Sequence, residues 1–252
     1  MSNSIKSLEP INIPCGWFVK YNDLTDTHEK VEPNTKLLEL EKQRYHAAVK
    51  IIKGQDEYLI HIYDNHRETI DTINVEDRRQ LVKELERIIW KIEAAAFGGN
   101  FFIFEGPPDY LRLRIPQGWT VSYNKLIDID PDQLEEDSDD WFNFTSSLLQ
   151  LEHKESRLIL DVGWYVDIEP SGTFYMLLIK NLDWENPLED METRRPEKLV
   201  DHIEAALQKA AEALFDFSPS LLIDFSQKKL YSMYLEPACY EEYIPKSLDW
   251  SL

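Results

Sequence analysis

Trp17, Val19 and Tyr21 alternate with Phe18, Lys20 and Asn22, the two-residue period of a β-strand, and Trp119, Val121 and Tyr123 repeat the pattern. A Pro-x-Gly turn precedes each. Further strands are predicted at Leu38 and Leu40, over 47–52, and over 58–63 after the turn Lys53-Gly54-Gln55-Asp56. Later in the chain a hairpin runs over 158–164, turns near Pro170-Ser171-Gly172, and returns over 174–179. The period then changes. Leu81, Val82, Leu85, Ile88, Ile89 and Ile92 form one helical stripe, with Asn74 as the expected N-cap and Gly98-Gly99 as the stop. Leu199, Val200, Ile203, Ala206, Leu207, Ala210 and Leu214 form a second stripe, with Pro196 in its first turn. An apolar stretch follows each helix, at 101–104 and 221–225.

The two halves of this pattern are related by sequence. Residues 13–26 and 115–128 are identical at nine of 14 positions, at an offset of 102. Residues 37–41 match 148–152 at an offset of 111, and Glu86, Lys91, Ala95 and Phe97 recur as Glu204, Lys209, Ala213 and Phe215 at 118. The growing offset places insertions in the second copy between Asp128 and Leu148, and between Leu151 and Gly172. Strands followed by a helix, twice over, predict an α+β fold. It would be a tandem duplication of a module with an antiparallel sheet of about four to five strands and one long C-terminal amphipathic helix packed on it. The boundaries expected are 1–106 for the first copy, 107–227 for the second with an enlarged acidic loop, and 228–252 for a Tyr-rich extension.

The repeated segment supplies Gly16, Trp17, Tyr21 and Asn22 in one copy and Gly118, Trp119, Tyr123 and Asn124 in the other. Trp and Tyr are frequent interface anchors, but their spacing puts them on one strand face, which a core strand under a helix requires. Core packing is the expectation, with the asparagines ending the strands through side-chain hydrogen bonds. The stronger functional candidate is the first insertion. Asp128, Asp130, Asp132, Glu135, Glu136, Asp137, Asp139 and Asp140 place eight carboxylates in 13 residues, and Trp141, Phe142 and Phe144 follow directly. Elaborated loops on a fixed scaffold are common sites of function. Asp130, Asp132, Glu135, Glu136, Asp137, Asp139, Asp140 and Trp141 are the predicted partner-binding residues.

Charge sharpens that assignment. The chain carries a formal net charge of −20. Residues 1–100 hold 14 Lys+Arg and 17 Asp+Glu, whereas residues 101–252 hold 13 and 30, so the balances are −3 and −17. Such a field repels nucleic acid and anionic lipid and attracts a basic partner. The most apolar region, 88–104, is broken by Lys91, Glu93 and Gly98-Gly99, so no membrane span is expected, and residues 1–10 have no signal-peptide core. Cys15 and Cys239 stand far apart without metal-ligand spacing and are expected as separate reduced thiols in cytoplasm.

No catalytic residue, metal ligand or cofactor is predicted. The six histidines show no HExxH or paired helical spacing, and Walker, G-x-S-x-G and G-x-G-x-x-G motifs are missing from the sequence. Asp128-x-Asp130-x-Asp132 resembles the opening of an EF-hand loop, but Gln133 stands where that loop needs glycine.

Three functions remain open: a non-enzymatic binding protein that caps a basic partner, a calcium- or small-ligand-binding module, and an enzyme of a class without short motifs. The first gains from a resemblance. The acidity, the small modules and the segment Ile-Pro-x-Gly-Trp…Tyr-Asn, followed by Asp128-Ile129-Asp130-Pro131, resemble the immunity proteins of bacterial polymorphic-toxin systems. The first copy departs from this at the Asp-Pro portion. The resemblance implies a cytoplasmic protein with a cognate toxin as partner.

Overall fold

A computed structural model describes residues 5–26, 31–42, 47–64, 66–96 and 106–214. Its strands are β1 (Trp17–Asn22), β2 (Lys36–Lys42), β3 (Ala47–Lys53), β4 (Tyr58–Tyr63), β5 (Thr69–Val75), β6 (Thr120–Asn124), β7 (Leu149–His153), β8 (Leu158–Tyr165), β9 (Thr173–Lys180) and β10 (Glu189–Thr193). Helix α1 (Arg78–Ala96) follows β5, and α2 (Pro196–Leu214) follows β10.

All ten strands form one antiparallel sheet in the order β10-β9-β8-β7-β6-β1-β2-β3-β4-β5. This corrects the expected α+β architecture, in which each module closed its own sheet of about four to five strands beneath one helix. The described chain is mostly sheet, with two α-helices. The reason is edge pairing. Alternation in a sequence says which face of a strand is buried, but not what its edges meet. Here β1 and β6, which carry the repeated Trp segment, pair with each other, Trp17 opposite Val121 and Phe18 opposite Thr120. That pairing removes two open edges.

The junction is reciprocal in detail. Gly16 N–H donates to the Val121 carbonyl at 2.6 Å, and Gly118 N–H donates to the Val19 carbonyl at 2.8 Å. Ile11 and Leu113 form a further antiparallel bridge. In each of these contacts, positions 102 residues apart exchange roles.

One continuous core runs under both halves. It takes Trp17, Val19, Leu38, Leu40, Val49, Ile51, Ile60 and Ile62 from β1–β4, Trp119 from just before β6, and Val121, Leu151, Leu160, Val162, Trp164, Phe174 and Met176 from β6–β9. Leu81, Leu85, Ile88 and Ile89 of α1 and Leu199, Ile203, Ala206 and Leu207 of α2 close it. Each fully buried large aliphatic or aromatic side chain contributes about 1.5–3 kcal/mol. Both helices also pin extended chain through buried glutamates. Glu86 accepts from the Asn12 N–H at 2.9 Å and from Arg112 at 2.7 and 2.8 Å. Glu204 accepts from the N–H of Arg114 and from its guanidinium, at 3.2 Å throughout.

Helix α1 starts later than the sequence suggests. Asn74 lies in β5 opposite Leu59, and the carboxylate of Asp77 caps the helix by accepting from the N–H groups of Arg79 (2.6 Å) and Gln80 (3.2 Å). The apolar stretches at 101–104 and 221–225, the 228–252 extension and Cys239 lie outside the described residues. Cys15 carries no free thiol, contrary to the expectation of a reduced one. Among the described residues, no helix is long and apolar enough to cross a membrane.

Candidate functional site

The repeated Trp segment is scaffold. Trp17 and Trp119 are completely buried. Gly16 and Gly118 precede them with φ of +79° and +94°, in the left-handed region that favours glycine. Space reinforces the choice, because a Cβ on Gly16 would stand 2.7 Å from Lys42 Nζ and one on Gly118 would stand 2.3 Å from His153 Nε2. Tyr21 and Tyr123 are half-buried. Asn22 and Asn124 hydrogen-bond across the junction between the halves.

Lys42 and His153 occupy equivalent positions after β1 and β6 in the repeat, and their surroundings differ in charge. Lys42 is buried, donates to the Cys15 carbonyl at 2.5 Å, and pairs with Glu93 of α1. The repeat counterpart of Glu93 is Ala211. Where the acid is missing, the buried base is an imidazole instead of an ammonium. His153 packs edge-on against Trp119 with ring centroids 5.4 Å apart, and its Nδ1 accepts from the Ser156 N–H at 3.3 Å. Burial pushes its pKa below the usual value, and the nearby Glu155 opposes this.

The acidic insertion is ordered and held by a few side chains. Asp130 accepts from the Asp132 N–H at 3.0 Å and caps a short 3-10 helix, Pro131–Gln133. Ser138 accepts from the Asp140 N–H at 3.2 Å and caps a second, Asp139–Asn143. Asp132 accepts from Arg194 Nε at 2.8 Å. Arg194 also donates to the carbonyls of Pro170 (2.8 Å) and Gly172, and its guanidinium stands 5.3 Å from the Trp164 ring. One arginine thus ties the insertion to the β8–β9 turn.

The partner-binding candidates separate into two environments. Asp132, Glu135, Glu136, Asp137, Asp139 and Asp140 are exposed, as is Asp128, whereas Asp130 is half-buried. Among the described residues, Asp132 is the one carboxylate of this stretch in a salt bridge. Trp141 is different. It is buried, its Nε1 donates to the Glu135 carbonyl at 2.8 Å, and its ring belongs to an aromatic cluster with Phe144, Trp164 and Phe174. The exposed ring here is Phe142, at 68%.

Sequence reasoning missed the other exposed apolar groups at this end: Tyr165, Val166, Ile168 and Tyr175. For the two tyrosines a signal was present. Leu158, Leu160, Val162 and Trp164 hold one parity along β8, and Tyr165 breaks it, as Tyr175 does between Phe174 and Met176 in β9. Arg194 carries no signal in the sequence, because its partners are two distant carbonyls and one aspartate among many.

Among the described residues, no three His, Cys, Asp or Glu side chains converge as a metal centre would need. In the EF-hand-like triplet, Asp130 serves as a helix cap and Asp132 binds Arg194. One other carboxyl is unusual. Asp161, on β8, is pushed above the ordinary carboxylate range by burial, against the hydrogen bond it accepts from Gln150 at 3.0 Å. No family model matches the chain, and no curated protein or solved structure matches it either.

Proposed function

We propose that this is a non-enzymatic binding protein whose acidic second half caps a basic partner, in the manner of an immunity protein against a cognate toxin. One observation carries the reading. The stretch 128–140 presents seven exposed carboxylates from a braced backbone, and only Asp132 is neutralised by an arginine of the described chain. Clustered like charges on a solvated loop raise the local potential and steer an oppositely charged partner. Association rates can then reach about 10⁸–10⁹ M⁻¹s⁻¹ at low salt. Bracing matters too, since a preordered loop loses less entropy on binding.

The test starts from a basic protein that co-purifies from the source cells at low salt and is released at high salt. With both proteins purified, stopped-flow association is compared for the native chain and a triple variant, Asp137→Asn, Asp139→Asn and Asp140→Asn. The variant should associate about tenfold more slowly at low salt and with a flatter salt dependence. An unchanged rate would remove the loop from the interaction.

A further inference from the structure

We infer that Phe142, Tyr165, Val166, Ile168 and Tyr175 form the apolar centre of a docking surface for a protein that presents lysines and arginines around an aliphatic or aromatic projection. The inference rests on the proposed capping of a basic partner and adds what that partner must offer besides charge.

Position comes first. Every large hydrophobic side chain exposed among the described residues lies between Phe142 and Leu188, in the half that carries the net charge. Four of these eight belong to two segments joined directly, and Tyr175 stands on β9 opposite Gly163 of β8. Ile168 N–H donates to the Phe144 carbonyl at 2.7 Å, and Ser146 N–H donates to Asp167 Oδ1 at 2.5 Å. Phe142 is two residues from the first of these bonds, and Tyr165 and Val166 are within three of it. Tyr165 and Tyr175 lie on the sheet face away from the helices, because Trp164 and Phe174 beside them point into the core.

Support comes second. Phe142 is flanked by Trp141 and Phe144, both buried, and the Phe144 ring packs on Trp164 with centroids 4.8 Å apart. The exposed ring therefore stands on a fixed base. Ile168 has φ of +61°, a conformation that costs a β-branched residue free energy, yet its side chain is 39% exposed.

Charge chooses the occupant. No Lys or Arg occurs between Lys125 and Lys154 or between Arg157 and Lys180, so both segments are free of cations in sequence. Arg194, which reaches this region, is committed to Asp132 and two carbonyls. Asp137, Asp139, Asp140, Asp167 and Glu169 are all exposed and lie within five residues of Phe142, Val166 or Ile168 along the chain. An apolar centre inside an acidic rim repels nucleic acid, anionic membrane and a second copy of itself. It suits a basic protein surface, where the apolar contact governs lifetime and the charges govern encounter.

The test uses two synthetic peptides of equal length and charge, one alternating lysine with leucine and the other lysine with serine. Binding is measured for the native chain, the triple Asp→Asn variant and the double variant Phe142→Ser with Tyr165→Ser. Unfolding curves serve to verify that each variant is folded. The leucine peptide should bind the native chain at least about tenfold more tightly than the serine peptide. The double variant should abolish that margin and leave the serine peptide unaffected. Equal affinity of both peptides for the native chain would overturn the apolar centre while the acidic surface stands. Binding of neither would overturn the capping function itself. Self-association of the native chain that disappears in the double variant would assign the surface to a second copy and overturn the basic partner.

Discussion

Asn22 and Asn124 make the same hydrogen bonds in opposite directions across the middle of the sheet. Asn22 Nδ2 donates to the Ile115 carbonyl at 2.8 Å, and Asn124 Nδ2 donates to the Ile13 carbonyl at 3.0 Å. Each Oδ1 accepts from the N–H two residues on, Leu24 and Leu126, both at 3.2 Å. The acceptor half of the amide ends its own strand, as the sequence suggests. The donor half grips the other copy. Each copy thus places an asparagine where the other has an unpaired carbonyl, so the two halves hold one another through the same motif.

Removing one such grip has a predictable cost. Asn124 is buried, so Asn124→Ala leaves the Ile13 carbonyl with no donor and no ready access to water. The expected loss is about 1–3 kcal/mol by chemical denaturation, with an unchanged denaturant slope. Asn22 is half-buried, and Asn22→Ala should cost less. Equal losses below about 0.5 kcal/mol would mean that the amide bonds are incidental to the junction.

Arg194 offers a second test, one that connects fold to function. Its guanidinium serves Asp132, two turn carbonyls and the Trp164 face together, a combination that needs the planar fork of arginine. Arg194→Ala should lower stability by about 1.5–3 kcal/mol and speed amide hydrogen exchange at Asp132 and Gln133. Arg194→Lys should recover only a small part. If exchange at those amides is unchanged, the insertion is braced by its own 3-10 caps and Arg194 is dispensable for its order.

The parts of this fold that a sequence can state are those with a local cause. The repeat at 102, the parity of Trp17 and Val19, the helical stripes and the acidity of 128–140 are all visible without coordinates. Three matters escaped, each for a physical reason. The β1–β6 pairing depends on strand edges, and backbone edges carry no side-chain signature. β5 and β10 are outermost in the sheet and show polar residues such as Asp71, Thr72, Asp190 and Glu192, so their alternation is weak. Trp141 stands next to Asp139 and Asp140, which draws the eye to solvent, yet a single 3-10 turn rotates its ring into the aromatic cluster.

The substitution of charge between the halves yields a prediction in pH. His153 is buried beside Trp119 with no acid at the position that matches Glu93, and burial holds its pKa below the usual 6.5. In the unfolded chain the imidazole takes up a proton near that usual value, whereas in the folded chain it does not. Between the two pKa values the unfolded state binds more protons, so stability rises with pH. The contribution is therefore fully present above about 6.5 and is lost as pH falls from there toward the folded value. Asp161 has the opposite sign. Its raised pKa stabilises the fold below its usual 3.8 and loses that contribution as pH rises, so it cannot produce a loss on mild acidification. Stability against pH should then fall more steeply between about pH 7 and 5 in the native chain than in His153→Gln, although the variant is less stable overall. The other carboxylates are common to both chains and cancel in the difference. Parallel curves would show that the buried imidazole gains its proton without cost, and that a group not evident beside it does the work that Glu93 does for Lys42.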